Sequence, residues 1–177
     1  MRKANGILAG VILILFLAHG ILGGFQLLGS GHVLSKAISF TLVALVLVHI
    51  VIGVGLTMDS LRIQKKTGAG YFRRNLLFWA GRISGFAIMA FLLFHMTAFG
   101  IRSPEGFRLH PFTAFRLVTQ LLLIVSIAVH VGANVEPMLI TFGMRGLKKR
   151  AADVLFVLSV LLLFMAIAFF VYYFRWH

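Results

Sequence analysis

Five stretches of this chain are each long and apolar enough to cross a bilayer, and this excludes most folds at once. A helix needs about 20 apolar residues to span the hydrocarbon core. The stretches cover residues 6–28, 33–57, 76–99, 115–140 and 154–174. Five separate spans favour helices over a barrel, whose strands are shorter and alternate in hydropathy. The expected fold is an all-α integral membrane protein of five transmembrane helices, in one domain over residues 1–177. Composition agrees. The chain is 60% hydrophobic with a mean hydropathy of +1.02. Only 12% of residues are charged, too few to cover a water-facing surface, where about 25% is usual.

The net charge of +13 sits in short blocks between the spans, which reads as membrane orientation and not as a nucleic-acid surface. Arg2 and Lys3, then Arg62, Lys65, Lys66, Arg73 and Arg74, then Arg145, Lys148, Lys149 and Arg150 fall at one set of helix ends. The other set has the sparser Lys36, Arg102, Arg108, Arg116 and Arg175. The positive-inside rule then places the N-terminus in the cytoplasm and the C-terminus outside. Tyr172, Tyr173 and Trp176 fall at the outer interface, where amphipathic rings collect. The first apolar run is longer than a signal-peptide core and holds His19 and Gln26, so it is read as a retained span. Cysteine is absent. That excludes disulfides, thiolate metal sites and haem attached through C-x-x-C-H.

Four histidines lie inside spans, one on each of the first four helices: His19, His49, His95 and His130. The fifth span has none. An ionisable residue at membrane depth is a functional hypothesis by default. Their depths fall into two groups. His95 is seven residues before Arg102 and His19 eleven before Ser30, whereas His49 is thirteen past Lys36 and His130 fourteen past Arg116. His19 and His95 are thus nearer the outer side, and His49 and His130 nearer the cytoplasm. The offset amounts to roughly 5–10 Å at 1.5 Å per residue. Bis-histidine ligation of two stacked haems accounts for two such pairs, because a haem in a bundle takes axial imidazoles from facing helices. Zinc would need about four ligands at one depth. A proton relay needs no pairing of depths. Gly23 and Gly53 each lie four residues past a histidine, on the same helical face. They would leave room for a flat macrocycle, or serve the close packing that glycine gives membrane helices generally.

With five helices, one histidine on each of the first four and a histidine-free fifth, the chain resembles the di-haem cytochrome b subunits of succinate:quinone oxidoreductases and quinol:fumarate reductases. The resemblance covers nearly the whole chain. It implies that the first four helices form a haem-binding up-down bundle holding two haem b. It also implies that His19 and His95 ligate the distal haem, and His49 and His130 the proximal one. Two features depart from the family. The chain is shorter than usual, and Ala128 stands where some members carry a glutamate used for transmembrane proton movement.

Arg82, about two turns into the third span, is a candidate partner for a haem propionate; snorkelling to the interface is the alternative. Gln26, Ser30, His32, Glu105 and His110 gather at the outer ends of the first four helices. Of these, Gln26, Ser30, His32 and Glu105 are candidates for a quinone site, where Glu105 or His32 would accept protons. Glu136 and Pro137 would end or kink the fourth helix, or mark a second quinone position. The resemblance further implies a flavoprotein and an iron–sulfur subunit on the cytoplasmic side, a quinone (menaquinone foremost) as substrate, and the cytoplasmic membrane of a bacterium or archaeon. The dicarboxylate active site would lie on the partner subunits. Rival readings are a di-haem cytochrome b of another quinone-linked oxidoreductase and a haem-free small transporter.

Overall fold

The computed structural model describes residues 1–29, 36–67, 76–103, 106–109 and 112–176. Five long helices account for most of them: α1 (Arg2–Leu27), α2 (Lys36–Thr67), α3 (Leu76–Ala98), α4 (Ala114–Thr141) and α5 (Leu147–Trp176). All five are long and apolar enough to cross a membrane. Between α3 and α4, β1 (Phe99–Ser103) and β2 (Gly106–Leu109) pair antiparallel, with Arg102 opposite Phe107. This short hairpin is an addition to the expected all-helical fold.

The helices match the apolar stretches but two of them outrun those stretches. α2 continues ten residues past Thr57, through Asp59, Arg62, Lys65 and Lys66. Hydropathy marks where lipid ends, not where backbone hydrogen bonding ends. This polar extension is rich in good helix formers, and Arg62 pairs with Asp59 at 3.8 Å. α5 likewise begins seven residues before Val154, with the basic Lys148, Lys149 and Arg150 in its first turns. α4 opens on Thr113, whose side chain accepts a hydrogen bond from Arg116 N. Pro137 neither ends it nor stops its ladder short of Thr141. The helix closes through Gly143 at φ +68°, where Met144 N reaches back to Leu139 O. That left-handed turn suits glycine, which has no Cβ to clash.

Neighbouring contacts give the directions. The start of α1 lies against the end of α4 (Gly6 beside Thr141) and against α2 (Met1 beside Gly55). The end of α1 lies along α5 (Gly24 beside Phe164), and the start of α3 meets the end of α4 (Gly81 beside Asn134). The helices therefore run up and down in alternation, and of the described basic residues Arg2, Lys3, Arg62, Lys65, Lys66, Arg145, Lys148, Lys149 and Arg150 gather at one end.

The packed core is not at the centre of the first four helices. It lies between α4 and α5, with α1 laid over it. Phe112, Leu117, Ile124, Leu158, Leu162 and Phe169 form its larger cluster; Val135, Leu139 and Ala151 form a smaller one near the basic end. Phe112 stacks on Phe169 at 6.0 Å and meets Tyr172 edge to face at 5.5 Å. Tyr172 thus belongs to this cluster, while the side chain of Trp176 lies outside the described residues. The histidine-free helix is the buttress of the fold.

α1 packs through two glycine pairs at four-residue spacing, Gly6 and Gly10 against the end of α4 and Gly20 and Gly24 against α5. A Cβ at Gly10 would lie 2.7 Å from Phe142, and one at Gly20 would lie 2.8 Å from Met165 Sδ. Small residues at this spacing let membrane helices approach closely. Gly24→Leu is expected to lower stability in detergent by about 1–3 kcal/mol through overpacking against Phe164. Gly132→Ala, with nothing within 4 Å of the added carbon, should leave it unchanged or raise it. Thermal unfolding followed by circular dichroism checks both.

Candidate functional site

The four intramembrane histidines meet in two facing pairs, each bringing together helices that are not extensively packed partners. His19 on α1 faces His95 on α3, with ring centroids 6.0 Å apart and planes at 68°. His49 on α2 faces His130 on α4, at 6.2 Å and 85°. The extensive contacts are instead between α3 and α4, α4 and α5, and α1 with α2, α4 and α5. The histidines therefore bridge the diagonals of the four-helix arrangement.

One member of each pair is held by a hydrogen bond to its Nδ1. His95 Nδ1 lies 2.8 Å from Oε1 of Gln120 on α4. An amide oxygen only accepts, so Nδ1 carries the proton and Nε2 keeps its lone pair. His130 Nδ1 donates to the backbone carbonyl of Gly81 on α3, at 3.0 Å. A carbonyl has two lone pairs, so Gly81 can serve the helix and the imidazole together. Ser84 Oγ is 3.4 Å from the same nitrogen, and it also donates to the carbonyls of Ala80 and Gly81. A Cβ on Gly85 would sit 3.4 Å from His130 Cε1. Gly81, Ser84 and Gly85 together make a small-residue cradle for the ring. One turn on along α4, Asn134 lies against Gly81 and its Nδ2 donates to the His130 backbone carbonyl at 2.7 Å. His19 Nδ1 and His49 Nδ1 are buried and have no hydrogen-bond partner among the described residues.

The two pairs are stacked along the helices. Gly85 marks the level of His130 and precedes His95 by ten residues, about 15 Å at 1.5 Å per residue. This exceeds the offset expected from the flanks. That reckoning assumed the flanking residues to be coplanar, whereas Arg102 stands beyond α3 in strand β1 and Lys36 is the first residue of α2.

The glycines beside the histidines divide by role. Gly20 and Gly24 on α1 pack against α5. Among the described residues, Gly23 and Gly53, one turn past His19 and His49, have nothing within 4 Å of an added Cβ. They do not serve close packing against another of the described helices, and the surface at each is clear there.

These features can be tested against a metal with two axial imidazoles. A metal–imidazole bond is about 2.0–2.1 Å, and a ring nitrogen lies about 1.1 Å from the ring centre, so opposed imidazoles on one metal have centroids about 6 Å apart. Both pairs meet that separation. Among the described residues no three His, Cys, Asp or Glu side chains converge. A planar macrocycle would need surfaces free of side chains, such as those at Gly23 and Gly53.

The remaining candidates are placed as follows. Arg82 follows Gly81 directly; its guanidinium lies 4.8 Å over the Phe78 ring, one turn toward the start of α3. The side chain thus runs toward the basic end from the level of His130. Gln26 is half-buried in the last turn of α1, two turns beyond His19 on the same face. Ser30, His32, Glu105 and His110 lie outside the described residues. Glu136 is exposed on α4. Gln120 and the Gly81, Ser84 and Gly85 cradle are not among the residues that the sequence pattern singles out. A glutamine buried in an apolar span was a usable signal for the first. For the second, only the i, i+3, i+4 spacing of small residues was available.

Comparison of the chain with family models, with curated proteins and with solved structures returned no match.

The pairing is open to a test that needs no cofactor. A His19→Cys/His95→Cys double variant and a His49→Cys/His130→Cys double variant are each expected to cross-link with a short bifunctional thiol reagent. The crossed pairs, His19→Cys/His130→Cys and His49→Cys/His95→Cys, are not. Mass spectrometry of the bridged peptides reads the outcome.

Proposed function

We propose that this chain is the di-haem b membrane anchor of a succinate:quinone oxidoreductase or quinol:fumarate reductase, passing electrons between a cytoplasmic iron–sulfur subunit and membrane quinone. The observation that carries the reading is the pair of facing imidazole couples, His19 with His95 and His49 with His130, at 6.0 and 6.2 Å. Haem supplies one-electron chemistry when bound. The chain supplies the axial imidazoles, their orientation through Gln120 and Gly81, and clear surfaces beside Gly23 and Gly53.

Other residues take supporting parts in this reading. Arg82 neutralises a propionate of the haem held by His49 and His130, for which a cation near the interface is a suitable partner. Gln26, two turns past His19, contributes a polar group to a quinone site near the distal haem, together with Ser30, His32 and Glu105. The basic blocks at one end of the bundle orient the chain with that end in the cytoplasm. There they face an acidic iron–sulfur subunit, to which the flavoprotein subunit attaches. The dicarboxylate chemistry belongs to those partners.

The deciding experiment is a haem count on the chain purified in detergent, by pyridine haemochrome with reduced-minus-oxidised spectra. Two haems b per polypeptide are expected. Ala in place of His19 or His95 should remove one, and Ala in place of His49 or His130 the other. A folded preparation without haem would overturn the reading and favour a transporter. Co-purification with a flavoprotein and an iron–sulfur protein distinguishes this complex from another quinone-linked oxidoreductase.

A further inference from the structure

Gln120 stands out among the polar residues of the spans. It is fully buried in α4, and the segment beyond it, Leu121 to Val125, is wholly apolar. Its Oε1 lies 2.8 Å from His95 Nδ1. Its Nε2 is buried and has no hydrogen-bond partner among the described residues. The amide is therefore committed to one contact, and the direction it faces has chemical consequences. With Oε1 toward the ring, His95 is protonated on Nδ1 and its Nε2 can ligate. With the amide reversed, Nε2 of His95 would carry the proton and the ring could not ligate through that atom.

The other pair is built differently. His130 donates to the Gly81 carbonyl, a backbone group fixed by α3. A backbone carbonyl is a neutral acceptor that substitution at Gly81 leaves in kind. The His19–His95 pair takes its tautomer and basicity from a side chain, whereas at His130 the Gly81 carbonyl at 3.0 Å is closer than Ser84 Oγ at 3.4 Å. A ligating histidine whose distal N–H is hydrogen-bonded is held in orientation and made a stronger donor to its metal.

We propose that Gln120 is a positioning residue that sets the tautomer of His95 and thereby tunes the redox potential of the His19–His95 haem alone. The proposal rests on the di-haem reading above. Stronger donation favours the oxidised metal, so the Gln120 contact holds that potential down. Losing it raises the potential of one haem and spares the other, whose partner is Gly81.

The test is a potentiometric titration of the purified holoprotein. The two waves are assigned by which one disappears in His19→Ala. Gln120→Leu is expected to raise the His19-dependent wave on the order of tenfold in the balance between oxidised and reduced forms, or about 59 mV for one electron. The second wave stays in place. Gln120→Glu keeps an acceptor oxygen and should return the first wave to the wild-type value or below it. Selective loss of the His19-dependent haem in Gln120→Leu would also support the proposal. Should Gln120→Leu fail to fold, Gln120→Glu carries the test, and a raised His19-dependent wave there overturns the proposal. So do two unmoved waves, or two waves moving together, in Gln120→Leu. A wild-type chain without haem removes the di-haem reading and this proposal with it; two haems with unmoved potentials remove this proposal alone.

Discussion

A polar ring nitrogen inside the bilayer core has no water to turn to, and the arrangement of the four inner helices answers that constraint. An unpartnered polar group in an apolar medium costs roughly 2–7 kcal/mol depending on the reference state, more than most single packing contacts contribute. Two of the four imidazoles meet it within the chain, through Gln120 and the Gly81 carbonyl. The same two hydrogen bonds join α3 to α4, the most extensively packed pair of helices. The partners His19 and His49 stand opposite, on helices that approach α3 and α4 across the diagonals. Imidazole burial thus helps to fix how α3 meets α4, while His19 Nδ1 and His49 Nδ1 have no hydrogen-bond partner among the described residues.

Packing is divided between two parts of the molecule. α4, α5 and α1 form a dense block through the Phe112 and Phe169 cluster and the Gly20 and Gly24 contacts. That block holds the buried apolar clusters, while α3 packs along α4 and α2 packs mainly on α1. The helix without an intramembrane histidine thus supports the site as well, because α5 packs on α4, which carries Gln120 and His130.

Charge placement shows which of two electrostatic effects prevails. Lys148, Lys149 and Arg150 sit at the start of α5, where the helix dipole disfavours cations by about 0.3–1 kcal/mol each. Moving such charges into the bilayer costs about 2.5–3.5 kcal/mol each. The dipole penalty is thus smaller than the cost of burying these charges in lipid.

Hydropathy alone determined the number of spans, their places and the presence of one histidine on each of four helices, because crossing a bilayer demands about 20 apolar residues. Spacing from the flanks separated His19 and His95 from His49 and His130, and the structure brings the same residues face to face. What lay outside the sequence's reach depended on which helix faces which. The polar extension of α2 is invisible to hydropathy, since helical hydrogen bonding continues in water. Gly20 and Gly24 pack on α5 while Gly23, beside them in the chain, faces clear space; a step of one residue turns about 100° around the helix. Gln120 and the Gly81 carbonyl become partners of His95 and His130 only when α3 lies antiparallel on α4, in a register that side-chain packing across both helices decides.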